Sequence, residues 1–481
     1  MKHIHPLLIS RFIGVILIIE SISFLACIPV ALIYKESIIP FIVSALTGVT
    51  LALFLYLPAA RSDTLTLNVR DIYLLVVLSW IAISSAGSFP YIVGSATKSF
   101  IDAFFESTSG FTTTGSSIIN DVESLPHSIL FYRSLTHWIG GFGIISMVII
   151  LFPSIRVTGY RLFTLESSLK EKIVPKTRSI IFRLLLIYIS LNLGEIILLW
   201  AGDMNLFDSV CHAFGTIATG GFSTKNSGLA YYSPYSQYVV MIFMFLAGVS
   251  QVVYYYLIKL NFKKLKNNDE LFFYIAVVII AGIIATGILS AFSYKPFETA
   301  IREGFFQVIS IITCTGFASA DYLTWPNVGL FLIFILMFAG GSTGSTSGGI
   351  KMARHLIVLK NIKNIFIKLS HPGTVKLIRM NGKALPEEMS ISIISFIVLY
   401  IVVFLLGTFL LVINGSDLVT SASSSATCMA GIGPGLSTVG PMGNFSHLPD
   451  LSKIVLCLLM ITGRLEIITV MVIFTRSFWK K

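Results

Sequence analysis

Long apolar runs, broken at fairly even intervals by short stretches rich in Phe, Ser, Thr and Gly, give the chain its outline. Runs of about 18 residues or more recur from end to end, the length a helix needs to cross a bilayer, without the short alternating segments of a barrel. Two leading spans are expected at residues 7–34 and 38–58, and four units follow at 71–153, 179–260, 271–360 and 387–478. Each unit reads as a span, a half-span, a glycine turn and a second span. Half-spans of about 11–14 residues are too short to cross and are expected to re-enter on the side they came from. The fold class that results is an all-α membrane protein. Ten transmembrane helices are expected, as four pseudo-symmetric helix–pore loop–helix repeats around one pore plus two leading helices. The divisions are residues 1–70 for the leading pair, 71–178, 179–269, 270–386 and 387–481 for the repeats.

The turns carry the candidate chemistry. They read Thr112-Thr113-Thr114-Gly115, Ile217-Ala218-Thr219-Gly220, Thr313-Cys314-Thr315-Gly316 and Ala430-Gly431-Ile432-Gly433. Irregular backbone at membrane depth must be buried in protein or line a cavity. A single such turn is ordinarily a helix break or a close helix contact; four in register suggest main-chain oxygens arranged around one ion path. Carbonyls can replace the water shell of a monovalent cation without net charge, so the ion binds and still leaves. Thr113, Thr114, Ala218, Thr219, Cys314, Thr315, Gly431 and Ile432 are expected to supply those oxygens beside Gly115, Gly220, Gly316 and Gly433, whose freedom at positive φ allows the turn. The half-spans aim the partial negative charge of their C-termini at the same point. Ile432 interrupts the Thr pattern, so the fourth unit is expected to depart from fourfold symmetry.

Two further features fall in the second spans. Gly340, Gly341, Ser342, Thr343, Gly344, Ser345, Thr346, Ser347, Gly348 and Gly349 interrupt the third unit's last span, where Gly, Ser and Thr disfavour helix. The segment is expected to unwind beneath the turns as an intramembrane gate; a plain kink is the alternative. It is not a phosphate loop, because Ile350 follows Gly349 where GxxxxGK[ST] needs Lys. Arg464 lies midway along the last apolar span and is expected to face the pore and bond the carbonyls of that segment, or else to form a buried ion pair. Glu195 is the one carboxylate seen deep in a span, Arg133 is expected to snorkel to the outer interface, and His137, His212 and His355 read as isolated packing residues.

Composition narrows the class. The chain has 481 residues, 55% hydrophobic and 12% charged, which fits an integral membrane protein and leaves no soluble domain for catalysis or nucleic-acid binding; it is not read as an enzyme. Net charge is +11, concentrated at 156–183, 259–266, 351–383 and the C-terminal end, segments that the positive-inside rule places in the cytoplasm along with both termini. The five cysteines are scattered and form no metal-binding pattern.

The residues also resemble a family. Gly110-Phe111-Thr112-Thr113-Thr114-Gly115, Gly220-Gly221-Phe222-Ser223-Thr224, Gly340-Gly341-Ser342-Thr343-Gly344-Ser345-Thr346, Gly431-Ile432-Gly433-Pro434-Gly435-Leu436 and Gly463-Arg464-Leu465-Glu466-Ile467 are similar to the TrkH/Ktr/HKT superfamily of potassium uptake proteins, TrkH type. The resemblance spans nearly the whole chain. It implies potassium uptake, with K⁺ as the bound and transported ion and no other cofactor in this chain. It further implies a homodimer in a bacterial inner membrane, working with a cytoplasmic ring of RCK-type nucleotide-binding subunits. By the same resemblance 340–349 is the gate and Arg464 lies beside the pore. The alternative function is a K⁺ symporter coupled to H⁺ or Na⁺.

Overall fold

The computed structural model describes residues 4–60, 67–150, 177–372 and 377–480. Helix Pro6–Leu25 breaks at Ala26–Cys27, continues as Ile28–Ile33, and packs along Ile39–Tyr56 to make the leading pair. Among the described residues, six helices are long and apolar enough to cross a membrane, or eight when two bent pairs count as one span each. The inner helix His127–Ile150 and the interrupted pair Asn327–Leu336 and Met352–Ser370 stand where the sequence reading puts the remaining two spans.

Three of the four second spans are broken, where the sequence reading marked one. Pro234–Ala247 meets Gln251–Ile258 at 93°, and Asp450–Arg464 meets Ile467–Phe474 at 113°. Gly248 and Ser250 stand at the first bend. At the second, Glu466 takes φ +63, a left-handed conformation that ends a helix because it costs a non-glycine residue energy. Both breaks lie inside spans read as continuous, at the short polar interruptions 248–251 and 464–466.

The four half-helices are Phe100–Phe111, Leu206–Ile217, Phe297–Ile312 and Leu418–Ala430. Three begin with a side-chain cap: Ser99 accepts from the Asp102 amide, Asn205 from Asp208 and Asp417 from Thr420. Each packs against the spans of its own unit, and their facing residues make one extensive core that includes Phe111, Ile217, Phe306, Ile312 and Ala430. A short hairpin, Arg379–Met380 with Lys383–Ala384, adds strand to a fold read as wholly helical. Its Asn381-Gly382 turn has φ +53 and +76, the left-handed pair that a two-residue hairpin requires.

Candidate functional site

All four half-helices end the same way. Thr113, Thr219, Cys314 and Gly431 take φ of +52, +55, +56 and +74. The next amide reaches back five residues in every case: Thr114 to Ser109, Gly220 to Gly215, Thr315 to Ser310 and Ile432 to Thr427, at 2.7–2.9 Å. This is the Schellman termination, and three of its four left-handed positions are held by a residue other than glycine, an unfavourable choice that packing must offset. One residue further on, φ is again positive at Gly115, Gly221, Gly316 and Gly433. The second turn is therefore one residue later than the sequence spacing suggested. Gly221, not Gly220, occupies the place of Gly115, and the turn reads Ala218-Thr219-Gly220-Gly221. The adjacent pair Gly220-Gly221 left that register ambiguous in sequence.

The turns close on one another. A Cβ on Gly115 would run into the Gly220 carbonyl oxygen, one on Gly221 into that of Thr315, one on Gly316 into that of Ile432, and one on Gly433 into that of Thr114. The contact passes from unit one to two, three, four and back to one, and each abutting carbonyl belongs to the residue just before the neighbour's glycine. Hydrogen bonds follow the same circuit: Arg133 to the Ser223 carbonyl (3.2 Å), Leu229 amide to Ala318 (2.9 Å), Tyr322 hydroxyl to Gly435 (2.6 Å) and Ser116 hydroxyl to Gly433 (3.1 Å). One cavity on one face of the ring is lined by Gly115, Gly221, Gly316 and Pro434 together. The fourth unit differs in detail, with glycine at the left-handed cap and φ +101 at Gly433, against +80 to +81 in the other three.

Behind the ring, an equivalent position on three of the four half-helices anchors the chain leaving the turn, and in the fourth unit the Ser424 hydroxyl there makes no bond to a described residue. Glu106 accepts from the Ser117 hydroxyl and the Ile118 amide, His212 Nε2 meets the Ser223 hydroxyl at 2.9 Å, and Gln307 donates to the Ala320 carbonyl. Arg133 does not snorkel: it is 2% exposed, pairs with Glu106 at 2.9 Å and lies over the Phe222 ring at 4.1 Å. An arginine can sit at this depth because its carboxylate partner and two oxygen acceptors come with it. His137 and His212 are likewise part of the ring's backing. His137 Nδ1 lies 2.8 Å from the Gly110 carbonyl and its Nε2 accepts from the Phe222 amide, which fixes a neutral Nδ1–H tautomer between the first two turns.

Under the ring lies the Gly/Ser/Thr segment. Its ends zip together, the Gly340 amide donating to Ile350 and the Met352 amide to Gly341, so residues between them project as a loop. Thr346 donates to the Ile217 carbonyl at the end of half-helix two, and the Ser342 amide to Gly248 at the 93° bend. A Cβ on Gly348 would strike the Ala430 carbonyl at the end of half-helix four. Arg464 is 8% exposed and donates to the Thr346 carbonyl (2.8 Å) and the Gly140 carbonyl (3.0 Å), joining the loop to units four and one. Lys351 donates to the Ser347 carbonyl. Glu270, not singled out in the sequence, accepts from the Thr343 amide and hydroxyl and from the Ala353 amide, clasping both flanks of the loop. Arg354 pairs with Glu466 at 2.8 Å and stacks on Phe396, tying the loop's exit to the 113° break.

Buried carboxylates are more numerous than the sequence reading allowed. Glu195 is joined by Glu106 and by Glu20, which stands in the first leading helix. Of the basic segments, 156–176 lies outside the described residues.

Four half-helices, a ring of their turns beside a cavity and a loop packed against the half-helix ends define a helical membrane protein with a four-part centre. The profile of the TrkH family, described as a cation transport protein, matches residues 43–481, and the chain belongs to that family. It is 33% identical to the Trk system potassium uptake protein TrkH of Escherichia coli strain K12 over 98% of this chain and 99% of that protein. The Trk system potassium uptake protein TrkI of Halomonas elongata is 34% identical over 85% of this chain and 84% of its own. Among solved structures, the potassium transporter TrkH from Vibrio parahaemolyticus matches with a TM-score of 0.89 at 30% identity, covering 98% of this chain and 99% of that one. Ion transport, not enzymatic turnover, is the activity of this family.

Proposed function

We propose that the chain takes up potassium through the ring of four turns, with Thr113–Gly115, Ala218–Gly221, Cys314–Gly316 and Gly431–Gly433 as its selectivity filter. The observation that supports this reading is the closed circuit of contacts in which each turn's glycine abuts a main-chain oxygen of the next unit. The names of the related proteins, potassium uptake proteins and a potassium transporter, support the choice of ion. Membrane potential drives entry, worth about 2.3 kcal/mol per charge per 100 mV. Ten spans, both termini in the cytoplasm of a bacterial inner membrane, are the topology that goes with this reading.

The loop at 340–349 is the gate. It touches the ends of half-helices two and four, and Arg464 holds it there. Opening requires withdrawing the loop, and its continuity with the basic helix Met352–Ser370 makes that helix the handle on which a cytoplasmic nucleotide-binding ring pulls. The protein works as a homodimer in this scheme. The test is ⁸⁶Rb⁺ flux into proteoliposomes without the partner. Arg464→Ala and deletion of 340–349 raise flux if the loop is the gate. Gly115→Ser, which pushes a side chain into the Gly220 carbonyl at φ +80, abolishes or de-selects it if the ring is the filter. Unchanged flux and selectivity in all three variants defeat the reading.

A second reading, a symporter coupled to H⁺ or Na⁺, draws on Glu195, which is fully buried with neither oxygen bonded to a described residue. Reversal potentials under opposed K⁺ and Na⁺ or H⁺ gradients separate the two: a passive pore follows K⁺ alone.

A further inference from the structure

The second turn lacks the tether that backs the first and the third. In those two, hydroxyls two positions apart bond behind the turn, Thr112 with Thr114 and Thr313 with Thr315, at 2.8 Å in both. The second turn has Ala218 and Gly220 at the same places, and the fourth fills them with the hydrocarbon of Ala430 and Ile432. Unit two therefore offers neither a hydroxyl nor bulk. His137 supplies both from the inner helix of unit one. It is fully buried, and a Cβ on Gly220 would run into its ring.

The imidazole also grips the backbone of both neighbours. An amide can only donate, so the bond from Phe222 makes Nε2 an acceptor and leaves the proton on Nδ1. Nδ1–H then donates at 2.8 Å to the Gly110 carbonyl, the same oxygen that takes the Thr113 amide and so helps to hold Thr113 left-handed. Phe222 directly follows the left-handed Gly221, and its ring lies 4.2 Å from the imidazole. One side chain thus spans the junction where Gly115 meets the Gly220 carbonyl. Counted from the proline that opens each second span, Pro126, Pro234, Pro326 and Pro449, the place of His137 is taken elsewhere by Phe245, Met337 and Met460. None of those has an N–H or O–H in its side chain to donate.

Discrimination between monovalent cations depends on the number and placement of the carbonyls offered. We propose that His137 is a positioning residue for potassium selectivity: it sets the Gly220 carbonyl against the first turn without touching the ion. The inference rests on the ring being the filter and deepens that reading.

Uptake of ⁸⁶Rb⁺ into proteoliposomes carrying the full chain, competed with KCl or with NaCl, tests it. Wild type is displaced by KCl in preference to NaCl. His137→Met, which installs the side chain of units three and four, loses about tenfold of that preference, the order expected for one or two lost hydrogen bonds. His137→Gln keeps a donor and an acceptor and retains the preference. Lower uptake or melting temperature with the preference unchanged is what a packing role gives, and it overturns the proposal. So does a Gln variant that loses the preference as far as the Met variant. If His137→Met does not fold, His137→Asn, too short to reach both partners, must show the loss. A selective wild type with equally selective variants overturns this inference alone, whereas a wild type without preference overturns the filter reading along with it.

Discussion

At the scale of single residues, the proposed filter and backbone strain coincide. Thr113, Thr219 and Cys314 hold left-handed backbone that glycine would adopt at lower cost, and the glycines two positions on stand where any side chain meets a neighbour's carbonyl. Gly221→Ala should therefore reduce ⁸⁶Rb⁺ uptake by more than about tenfold, equivalent to about 1.4 kcal/mol. Gly287→Ala is the control: its Cβ meets nothing within 4 Å in helix Asp269–Phe292, so it should leave uptake intact and match or raise the melting temperature. The Glu106–Arg133 pair gives a second expectation. Removing one member strands a buried charge, so Arg133→Ala should destabilise by about 3–5 kcal/mol. Pairing it with Glu106→Gln in a double-mutant cycle should recover part of that loss in denaturation experiments; strict additivity would refute the coupling. The glycines were legible as glycines, but the pair was not. Arg133 and Glu106 stand 27 positions apart, on different helices, and only folding sets them face to face.

Among elements, the half-helices are the informative ones. Length, the glycine turn and the apolar runs on either side mark them in sequence, and the structure adds ordinary caps at Ser99, Asn205 and Asp417. Asp417→Ala should cost about 1 kcal/mol of stability by loss of the bond to the Thr420 amide, with Asp417→Asn largely restoring it; equal melting of all three forms would remove the cap from the account. The interrupted span at 340–349 was equally readable, because ten Gly, Ser and Thr residues in a row cannot hold a membrane helix. The breaks after Ala247 and Arg464 were not. Each uses two or three residues between helices, and what stabilises the bend is the loop it touches: the Gly248 carbonyl accepts from Ser342, and Arg464 reaches Thr346. The clasp at Glu270 belongs to the same class, since its partners lie 73 and 83 residues away.

For the whole molecule, the leading pair is tied to the body outside the membrane by Glu36. Burial pushes that carboxyl upward, but bonds from the Ser128 hydroxyl and amide and the His127 amide outweigh it and hold it below the ordinary carboxylate range. Its contribution to stability is full above the unfolded value of about 4.3 and is lost as pH falls through the lower folded value. Wild type should lose melting temperature across that acid window, and Glu36→Gln should show a flatter profile; parallel profiles would assign the acid sensitivity elsewhere. What the sequence by itself determined is the membrane class, the four half-span and turn units and the unwound third span, because each follows from local composition and the length a bilayer demands. Tertiary structure alone decided the register of the second turn, the order of contact around the ring, the buried partners of Arg133 and Arg464, and the burial of Glu20. Those depend on which oxygens and side chains from distant segments meet in space, and no local pattern encodes a meeting.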